Sequence, residues 1–355
     1  MDYGPVVRRL TAALLTVVLT ITALAGCSAT DRPAAWIDEE VTFEADGLTL
    51  HGTYRHRDGG SAGSEAGPAA LLISESGRTD RNGDNNVAGP IGNMRQLAEY
   101  LSDHGVASLR YDKVGTGATG LGRYAAAPAD VGSAVYTGGA KSAIRFLAGQ
   151  AGTDAGRISV YAVGEGAIHA MSLAGDTSAG APSIHSLGLL QPLAARYLDL
   201  ISSRVSADLA AAVRDGAKSQ QQADQVLGAW RSAVQQARAA GTAPAALPDG
   251  LTAILNPGNA KAVADADAID PLSLAARIPA GTPVMLTCSD SDGQADCADM
   301  TALRGALAHT ALQFVELTGV NHVLREDASD NIGNYAKQDP LAPQLIAALD
   351  QFVVK

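Results

Sequence analysis

The chain has 355 residues, and 46% of them are hydrophobic, which is enough to bury one large α/β core or two smaller ones. Its formal net charge is −11 at pH 7, from 26 basic and 37 acidic residues. Nucleic acids are bound by clusters of Lys and Arg that neutralise phosphates, so this charge balance argues against a nucleic acid partner.

The N-terminus has the pattern of an export signal, since Arg8 and Arg9 precede an apolar run over residues 10–25. This run is shorter than the roughly 20 residues that span a membrane comfortably. It ends in the letters LAGC, which resemble the lipobox of bacterial lipoproteins, where the cysteine receives a diacylglycerol. We therefore predict a signal peptide at 1–26, lipidation of Cys27, a linker at 27–36 and a location on the outer face of the cytoplasmic membrane. The alternative is a plain secretory signal with a chance cysteine.

The next segment predicts a β-hairpin, because residues 41–54 alternate apolar and polar side chains around Asp46-Gly47. A loop rich in Gly and Ser follows at 58–67. Short apolar runs then alternate with helical patterns, a succession typical of a doubly wound, mostly parallel sheet with helices on both faces. The predicted strands lie near 69–74, 106–111, 158–163 and 184–190, and the predicted helices near 94–104, 139–148 and 165–174.

The pattern changes at 191–277, where long helical stretches such as 203–215 and 220–240 occur without a strand signal. Strands return at 283–288 and 312–317, and a helix at 341–352 ends the chain. We therefore predict an α/β core at 37–190 and 278–355 with a helical cap at 191–277. An inserted cap would lie over the carboxyl edge of the sheet, where open α/β sheets bind ligands. A separate helical domain elsewhere is the alternative.

The letters RISVYAVGEGA, at 157–167, resemble the strand, turn and helix that carry the nucleophile of α/β-hydrolases. In that family the motif G-x-S-x-G lifts a serine above the sheet. The ungapped match puts Gly164 at the serine position, so the nucleophile is missing. A shift of one residue would instead bring Glu165 to the tip of the turn as a carboxylate nucleophile.

Two further motifs occur in the family's order. The letters LLISESG and TDRNG, at 71–77 and 79–83, are similar to the family's strand and G-S-G-x-T-D-R-D-G loop, which supplies an amide to the oxyanion hole. On this resemblance Ser76, Gly77 and Glu165 belong to the oxyanion-hole region, where backbone N–H groups face developing negative charge. Glu75 stands where the family usually has glycine, and its carboxylate would oppose an oxyanion. The letters LRYDK and GTG, at 109–113 and 115–117, resemble an architectural turn of the family.

The resemblance also supplies an acid and a base. Asp292 matches the family's triad carboxylate, with Asp290 as the alternative one register away. His322, within the letters GVNHVL, matches the catalytic histidine, whose ring a carboxylate would orient.

Cys288 and Cys297 lie near this acid, and in an exported protein a disulfide between them is the natural expectation. Two cysteines without nearby histidines fall short of a structural zinc site, so neither a metal nor a cofactor is predicted. The bridge would brace the loop that carries Asp292.

The resemblance covers 41–354 and points to bacterial esterases and serine-aminopeptidase-like members of the α/β-hydrolase superfamily. A glycine cannot form an acyl intermediate, and loss of the nucleophile lowers the kcat of a serine hydrolase by about 10⁶. The main prediction is therefore a protein that binds an acyl chain or a small envelope ligand in a capped pocket without conventional hydrolysis. The first alternative is an atypical ester or peptide hydrolase that uses His322 and Asp292 with water or another nucleophile, such as Ser74 or Ser76. An interaction scaffold is the second alternative, and no oligomeric state is predicted.

Overall fold

The computed structural model describes residues 35–58 and 66–353, so the predicted signal peptide and Cys27 lie outside the described residues. The strands form one sheet of eight, in the order β1-β2-β4-β3-β5-β6-β7-β8. β1 and β2 pair antiparallel, β2 also pairs antiparallel with β4, and all the other pairs are parallel. The strands are β1 (Trp36–Ala45), β2 (Leu48–Arg57), β3 (Gly67–Ile73), β4 (Ala107–Tyr111), β5 (Thr153–Val163), β6 (Ser186–Leu190), β7 (Pro283–Ser289) and β8 (Ala311–Leu317).

Helices cover both faces of the sheet, so the predicted doubly wound, mostly parallel sheet is confirmed. Among the described residues, no helix is both long enough and apolar enough to cross a membrane. The α-helices are α1 (Asn93–Asp103), α2 (Ser133–Ala148), α3 (Gly166–Ala174), α4 (Tyr197–Arg214), α5 (Gln220–Ala240), α6 (Ala260–Asp267), α7 (Pro271–Ala275), α8 (Thr301–Ala306) and α9 (Pro343–Val353).

The central strands are apolar on both sides because helices cover both faces. In β3, Leu71 and Ile73 join the core cluster that contains α2 and α3, whereas Ala70 and Leu72 join the cluster that contains α1 and α9. All four side chains are at most 1% exposed. The carboxyl ends of these strands therefore form a rigid edge of the sheet. The loops that carry the predicted site residues extend from this edge.

The predicted hairpin is β1 and β2, joined by Asp46 and Gly47. Both turn residues have positive φ, 49° and 74°, as the tightest hairpin turn requires. The inserted helices α4, α5 and α6 lie between β6 and β7 and share a hydrophobic cluster of their own around the fully buried Trp230.

Candidate active site

The predicted elbow has the expected backbone, because β5 ends at Val163 and α3 begins at Gly166. Gly164 forms the turn between them with a φ of +54°, a conformation that glycine adopts without strain. Its N–H donates to the carbonyl of Leu190 in the neighbouring β6. The turn therefore presents residue 164 at the carboxyl edge of the sheet, but with no side chain there.

The space in front of Gly164 is occupied by the carboxylate of Glu75, from the loop after β3. A β-carbon built on Gly164 would lie 1.3 Å from Oε2 of Glu75 and 2.3 Å from its Cδ. Atoms cannot approach so closely without a bond. A side chain at position 164 and the observed conformation of Glu75 therefore exclude each other.

Each oxygen of Glu75 contacts one part of the apparatus that the sequence predicted. Oε2 lies 2.9 Å from Nε2 of His322. Oε1 accepts hydrogen bonds from the backbone N–H groups of Ser76, at 2.6 Å, and Glu165, at 3.3 Å. These are two of the three residues predicted for the oxyanion hole. The third, Gly77, is exposed and lines the adjacent pocket.

His322 contacts Asp292 on its other side, with 2.8 Å between Nδ1 and Oδ2. The second oxygen of Asp292 accepts hydrogen bonds from the N–H groups of Gln294 and Ala295, which fix its position. Asp290 instead accepts hydrogen bonds from Gly319 and from the hydroxyl of Ser291. Of the two carboxylates left open by the sequence, Asp292 is therefore the one that contacts His322.

A disulfide joins Cys288, in β7, to Cys297. Its Cα atoms are 5.0 Å apart, and it closes the segment that contains Asp292. The base of the acid loop is thus covalently linked to the sheet.

His322 lies between two carboxylates and is only 3% exposed. Burial alone would lower its pKa, but the charges and hydrogen bonds of Asp292 and Glu75 raise that pKa well above the usual value. Burial alone would raise the pKa of Glu75, whereas the hydrogen bond and charge of His322 outweigh it and lower the pKa to about 2. Both ring nitrogens of His322 therefore face carboxylate oxygens, an arrangement that favours the charged imidazolium and leaves neither nitrogen free to act as a base.

Lys113 fixes the backbone that carries Glu75. Its buried Nζ donates to the carbonyls of Ser74, at 3.3 Å, and of Glu75. Burial lowers the pKa of Lys113, while the charges of Glu165 and Glu75 oppose that shift. Sequence reasoning treated this lysine as part of an architectural turn and did not assign it to the site.

The other candidate nucleophiles do not contact His322. The Ser74 hydroxyl donates to the carbonyl of Thr79, and Ser76 meets Glu75 through its backbone N–H. The Glu165 side chain is not a partner of His322, and burial raises its pKa.

Sequence reasoning noted Glu75 only as a departure from the family's motif, with a carboxylate that would oppose an oxyanion. Two departures taken together would have indicated its position. Position 164 lacks the side chain that the motif carries, and position 75 has a side chain where the motif has glycine.

A pocket of about 490 Å³ adjoins the site, and Glu75, His322 and Val163 line it. The prediction of a pocket walled by the cap is wrong for this pocket, because no described residue of 191–277 lines it. The loops after β3 and β8 form its walls instead, held together by the Arg325 guanidinium, which donates to the carbonyls of Ile91 and Tyr335. The apolar side chains of the cap pack mainly on each other.

No group of three or more His, Cys, Asp and Glu side chains within the described ranges is arranged to hold a metal ion. The two carboxylates that flank His322 bond to its ring and to backbone N–H groups. Hydrogen bonds and charge therefore hold these side chains in place.

No family model matches the chain, and no curated protein matches it. Solved structures do match: an esterase of Pyrococcus furiosus, Pf2001, has a TM-score of 0.54 at 16% identity, with 90% of each chain covered. Est1E of Butyrivibrio proteoclasticus has a TM-score of 0.52 at 14% identity over 89% of this chain and 97% of its own. The structure of DcsB with its substrate analogue has a TM-score of 0.53 at 15% identity, covering 90% of this chain and 99% of its own. This chain therefore has the α/β-hydrolase fold.

Proposed function

We propose that this protein binds a small ligand with an apolar body in the pocket beside Glu75, and that it does not hydrolyse esters through an acyl-enzyme. The observation that carries the proposal is the position of the Glu75 carboxylate. One of its oxygens accepts from both oxyanion-hole amides, and the other lies in front of Gly164.

An acyl-enzyme reaction needs a hydroxyl nucleophile, a base with a free lone pair and unoccupied oxyanion-hole amides. Gly164 offers no hydroxyl, His322 donates to two carboxylates, and Glu75 holds the amides. An oxyanion beside this carboxylate would also be repelled, by about 4 kcal/mol at about 4 Å and an effective dielectric constant of about 20. That repulsion alone corresponds to roughly a thousandfold in rate.

The pocket favours a ligand with an apolar body. Its volume of about 490 Å³ falls within the roughly 300–1,000 Å³ of small-molecule sites. Val87 and Ile332 line it and remain 84% and 51% exposed, and a bound acyl chain would cover them. Amide side chains such as Asn85 and Gln294 lie at the same pocket and suit a polar headgroup.

We also propose that Cys27 is lipidated and holds the protein on the outer face of the cytoplasmic membrane. The support is the N-terminal pattern of two arginines, an apolar run and the letters LAGC. Fractionation of cells that produce the full chain tests this proposal. The native protein is expected in the membrane fraction and Cys27→Ser in the soluble fraction, and equal distribution of the two would contradict the anchor.

The catalytic part of the proposal is tested by restoring a serine site. The native protein is expected to be inert towards short acyl nitrophenyl esters and a fluorophosphonate probe, because it lacks the serine. Gly164→Ser is expected to be inert as well, because the negative charge of Glu75 remains beside the amides that would bind an oxyanion. The double variant Glu75→Gly/Gly164→Ser is expected to gain both turnover and probe labelling. Glu75→Gly alone is the matched control, since it empties the oxyanion hole without supplying a nucleophile. Ester turnover with probe labelling by the native protein would contradict the proposal.

The binding part is tested with a dansylated fatty acid, whose fluorescence rises in an apolar pocket. The native protein is expected to bind it, and Ile332→Asp is expected to weaken binding by roughly tenfold, because the new charge lies at the apolar wall. Val213→Asp, on a partly buried residue packed against the cap's own cluster, is the control for a general effect of an added charge. Equal binding by the native protein and Ile332→Asp would place the ligand elsewhere.

A further inference from the structure

We propose that the protein has a second binding site at the amino edge of the sheet, and that this site takes a small organic acid, a carboxylate on an apolar ring or a short chain. The site is a cavity of about 250 Å³ lined by Arg157, Tyr161 and His185, here called the amino-edge cavity. It lies on the sheet face covered by α1 and α9. The pocket beside Glu75 is at the other edge of the sheet, so this inference does not depend on the proposed binding function.

Two neighbouring residue pairs of β5 and β6 form the base of the amino-edge cavity. In the parallel register of these strands, Ser159 lies beside Ser186 and Tyr161 lies beside Gly188. The two serine hydroxyls are 2.7 Å apart, so one donates to the other and the second keeps a hydrogen that a ligand can accept. A β-carbon built on Gly188 would lie 2.3 Å from Cδ1 of Tyr161. Glycine at 188 therefore makes room for the Tyr161 ring.

The Tyr161 side chain brings an apolar ring and an unpaired hydroxyl to the cavity. The ring packs edge-on against Phe352, with 6.3 Å between the ring centroids, and Tyr161 is only 2% exposed. Its hydroxyl has no hydrogen-bond partner within the described part of the chain. Burial raises the pKa of Tyr161, so the hydroxyl keeps its proton and can donate it to a hydrogen bond. Because a buried tyrosine hydroxyl normally has a partner, this donor points to a ligand with an acceptor.

The amino-edge cavity also offers positive charge without an acidic partner. Arg157 and His185 line it, and neither side chain has an ion pair or a hydrogen bond with another described residue. No described residue that lines the cavity is acidic, although the chain has a net charge of −11. The ring of His104 lines the cavity as well, but it is held by the carbonyl of Tyr100 and by Asp350. Arg157 therefore supplies a free charge, and His185 supplies a free ring N–H.

These groups match an organic acid better than they match other small ligands. The planar guanidinium of Arg157 presents paired N–H groups that fit the two oxygens of a carboxylate. The rest of the lining is largely apolar and includes Val106, Pro283 and Phe352. Inorganic phosphate would leave that apolar surface uncovered, and an uncharged ligand would make no use of the charge. The volume is slightly below the roughly 300–1,000 Å³ of drug-sized sites, which limits the apolar body to one small ring system or a short chain.

The experiment titrates the full chain with hexanoate, 3-phenylpropanoate and 1-naphthoate by isothermal titration calorimetry. The amide of each acid is the uncharged analogue, and inorganic phosphate is the anion without an apolar body. We expect at least one acid to bind. Its amide and inorganic phosphate are expected to bind at least about 10-fold more weakly, because the amide loses the charged hydrogen bond and phosphate loses the apolar contact.

Two variants test the residues assigned to the amino-edge cavity. Arg157→Gln is expected to weaken acid binding by about 10-fold or more, and Tyr161→Phe by about 2- to 10-fold, as for a charged and a neutral hydrogen bond. Arg214→Gln is the matched control, since it removes the same charge from an exposed arginine at the end of α4. Ile332→Asp, at the pocket beside Glu75, is the second control. Both controls are expected to keep the native affinity, and circular dichroism establishes that each variant is folded.

The outcomes separate this inference from the proposed binding function. Absence of binding by all three acids overturns the inference, and so does an equal acid affinity of the native protein and Arg157→Gln. Phosphate binding as tight as acid binding also overturns it, because the cavity would then be a plain anion site. Acid binding that Ile332→Asp weakens and Arg157→Gln does not would move the acid to the pocket beside Glu75, against this inference and in support of the binding function. Acid binding that Arg157→Gln weakens, without binding of the dansylated fatty acid, would contradict the binding function alone.

Discussion

Two carboxylates in this molecule are paired with cations far away in the sequence, but they differ in their access to solvent. Asp267, the last residue of α6, accepts hydrogen bonds from Arg196, from Arg238 and from the N–H of Leu198, and its side chain is 1% exposed. Glu75 pairs with His322, but 21% of its side chain is exposed at a pocket. The comparison indicates that the first carboxylate joins helices, whereas the second remains available to a ligand.

The largest effect is expected from Asp267→Ala. Burial alone would raise the pKa of Asp267, yet Arg238 and the N–H of Leu198 lower it, so the carboxylate is ionised. Its removal leaves two guanidinium groups and the N-terminus of α4 without their shared partner. Because both arginines are at least a third exposed and regain water, we expect a loss of ~3 kcal/mol in the free energy of unfolding, at the low end for a broken buried pair.

Urea unfolding followed by tryptophan fluorescence measures this loss, in a Trp36→Phe background where Trp230 in α5 is the remaining tryptophan. Asp249→Ala is the matched control, since Asp249 pairs with Lys218 in the same inserted segment and is about a third exposed. An exposed pair of this kind contributes about 0–1 kcal/mol. Equal losses in the two variants would contradict the role assigned to Asp267.

An intermediate effect is expected from Lys113→Met, which tests what holds Glu75 in place. The variant leaves the carbonyls of Ser74 and Glu75 without their buried donor, which costs about 2 kcal/mol in the free energy of unfolding. Urea unfolding measures this loss.

Lys141→Met is the control, because Lys141 forms an ion pair with Asp176 and is itself 37% exposed. It is expected to lower the free energy of unfolding by less than about 1 kcal/mol. A loss in Lys113→Met no larger than the loss in Lys141→Met would contradict the role assigned to Lys113.

The sequence predicted local features well where their causes are local. α5 was predicted at 220–240 and observed there, because Ser219 and Gln222 form a capping box beside it. The start of α4 was placed at 203, whereas the helix begins at Tyr197. The N–H of Leu198 is bonded to Asp267, 69 residues away, and no local pattern contains that information.

The same limit applies to the site. The turn at Gly164, the loop of Asp292 and the position of His322 were predicted because each is a short motif at the end of a strand. The position of Glu75 was not, because its contact with His322 joins residues 247 apart and depends on the missing side chain of Gly164. The walls of the pocket likewise depend on the contacts of Arg325 with Ile91 and Tyr335, between loops distant in sequence.

The smallest effect is expected from Glu75→Gln, and its dependence on pH is the sharper test. The amide can keep the hydrogen bonds of Oε1 but loses the charge opposite His322. Hydrogen bonds to charged groups contribute about 1.5–3 kcal/mol and neutral ones about 0.5–1.5. The native protein should therefore exceed the variant by about 1 kcal/mol in the free energy of unfolding where both partners are charged.

The sign of the pH dependence follows from the two shifts. The pKa of Glu75 is lowered to about 2 in the folded protein. Its contribution to the free energy of unfolding is therefore present above the pKa of the unfolded chain, near 4.3, and is lost as the pH falls towards 2. The pKa of His322 is raised in the folded protein. Its contribution to the free energy of unfolding is therefore complete below the pKa of the unfolded chain, near 6.5, and is lost as the pH rises through the pKa of the folded protein. The difference in the free energy of unfolding between the native protein and the variant, measured with urea, should therefore be largest between about pH 4.5 and 6.5. It should decrease on both sides of that range. A difference independent of pH would mean that Glu75 and His322 are not an ion pair.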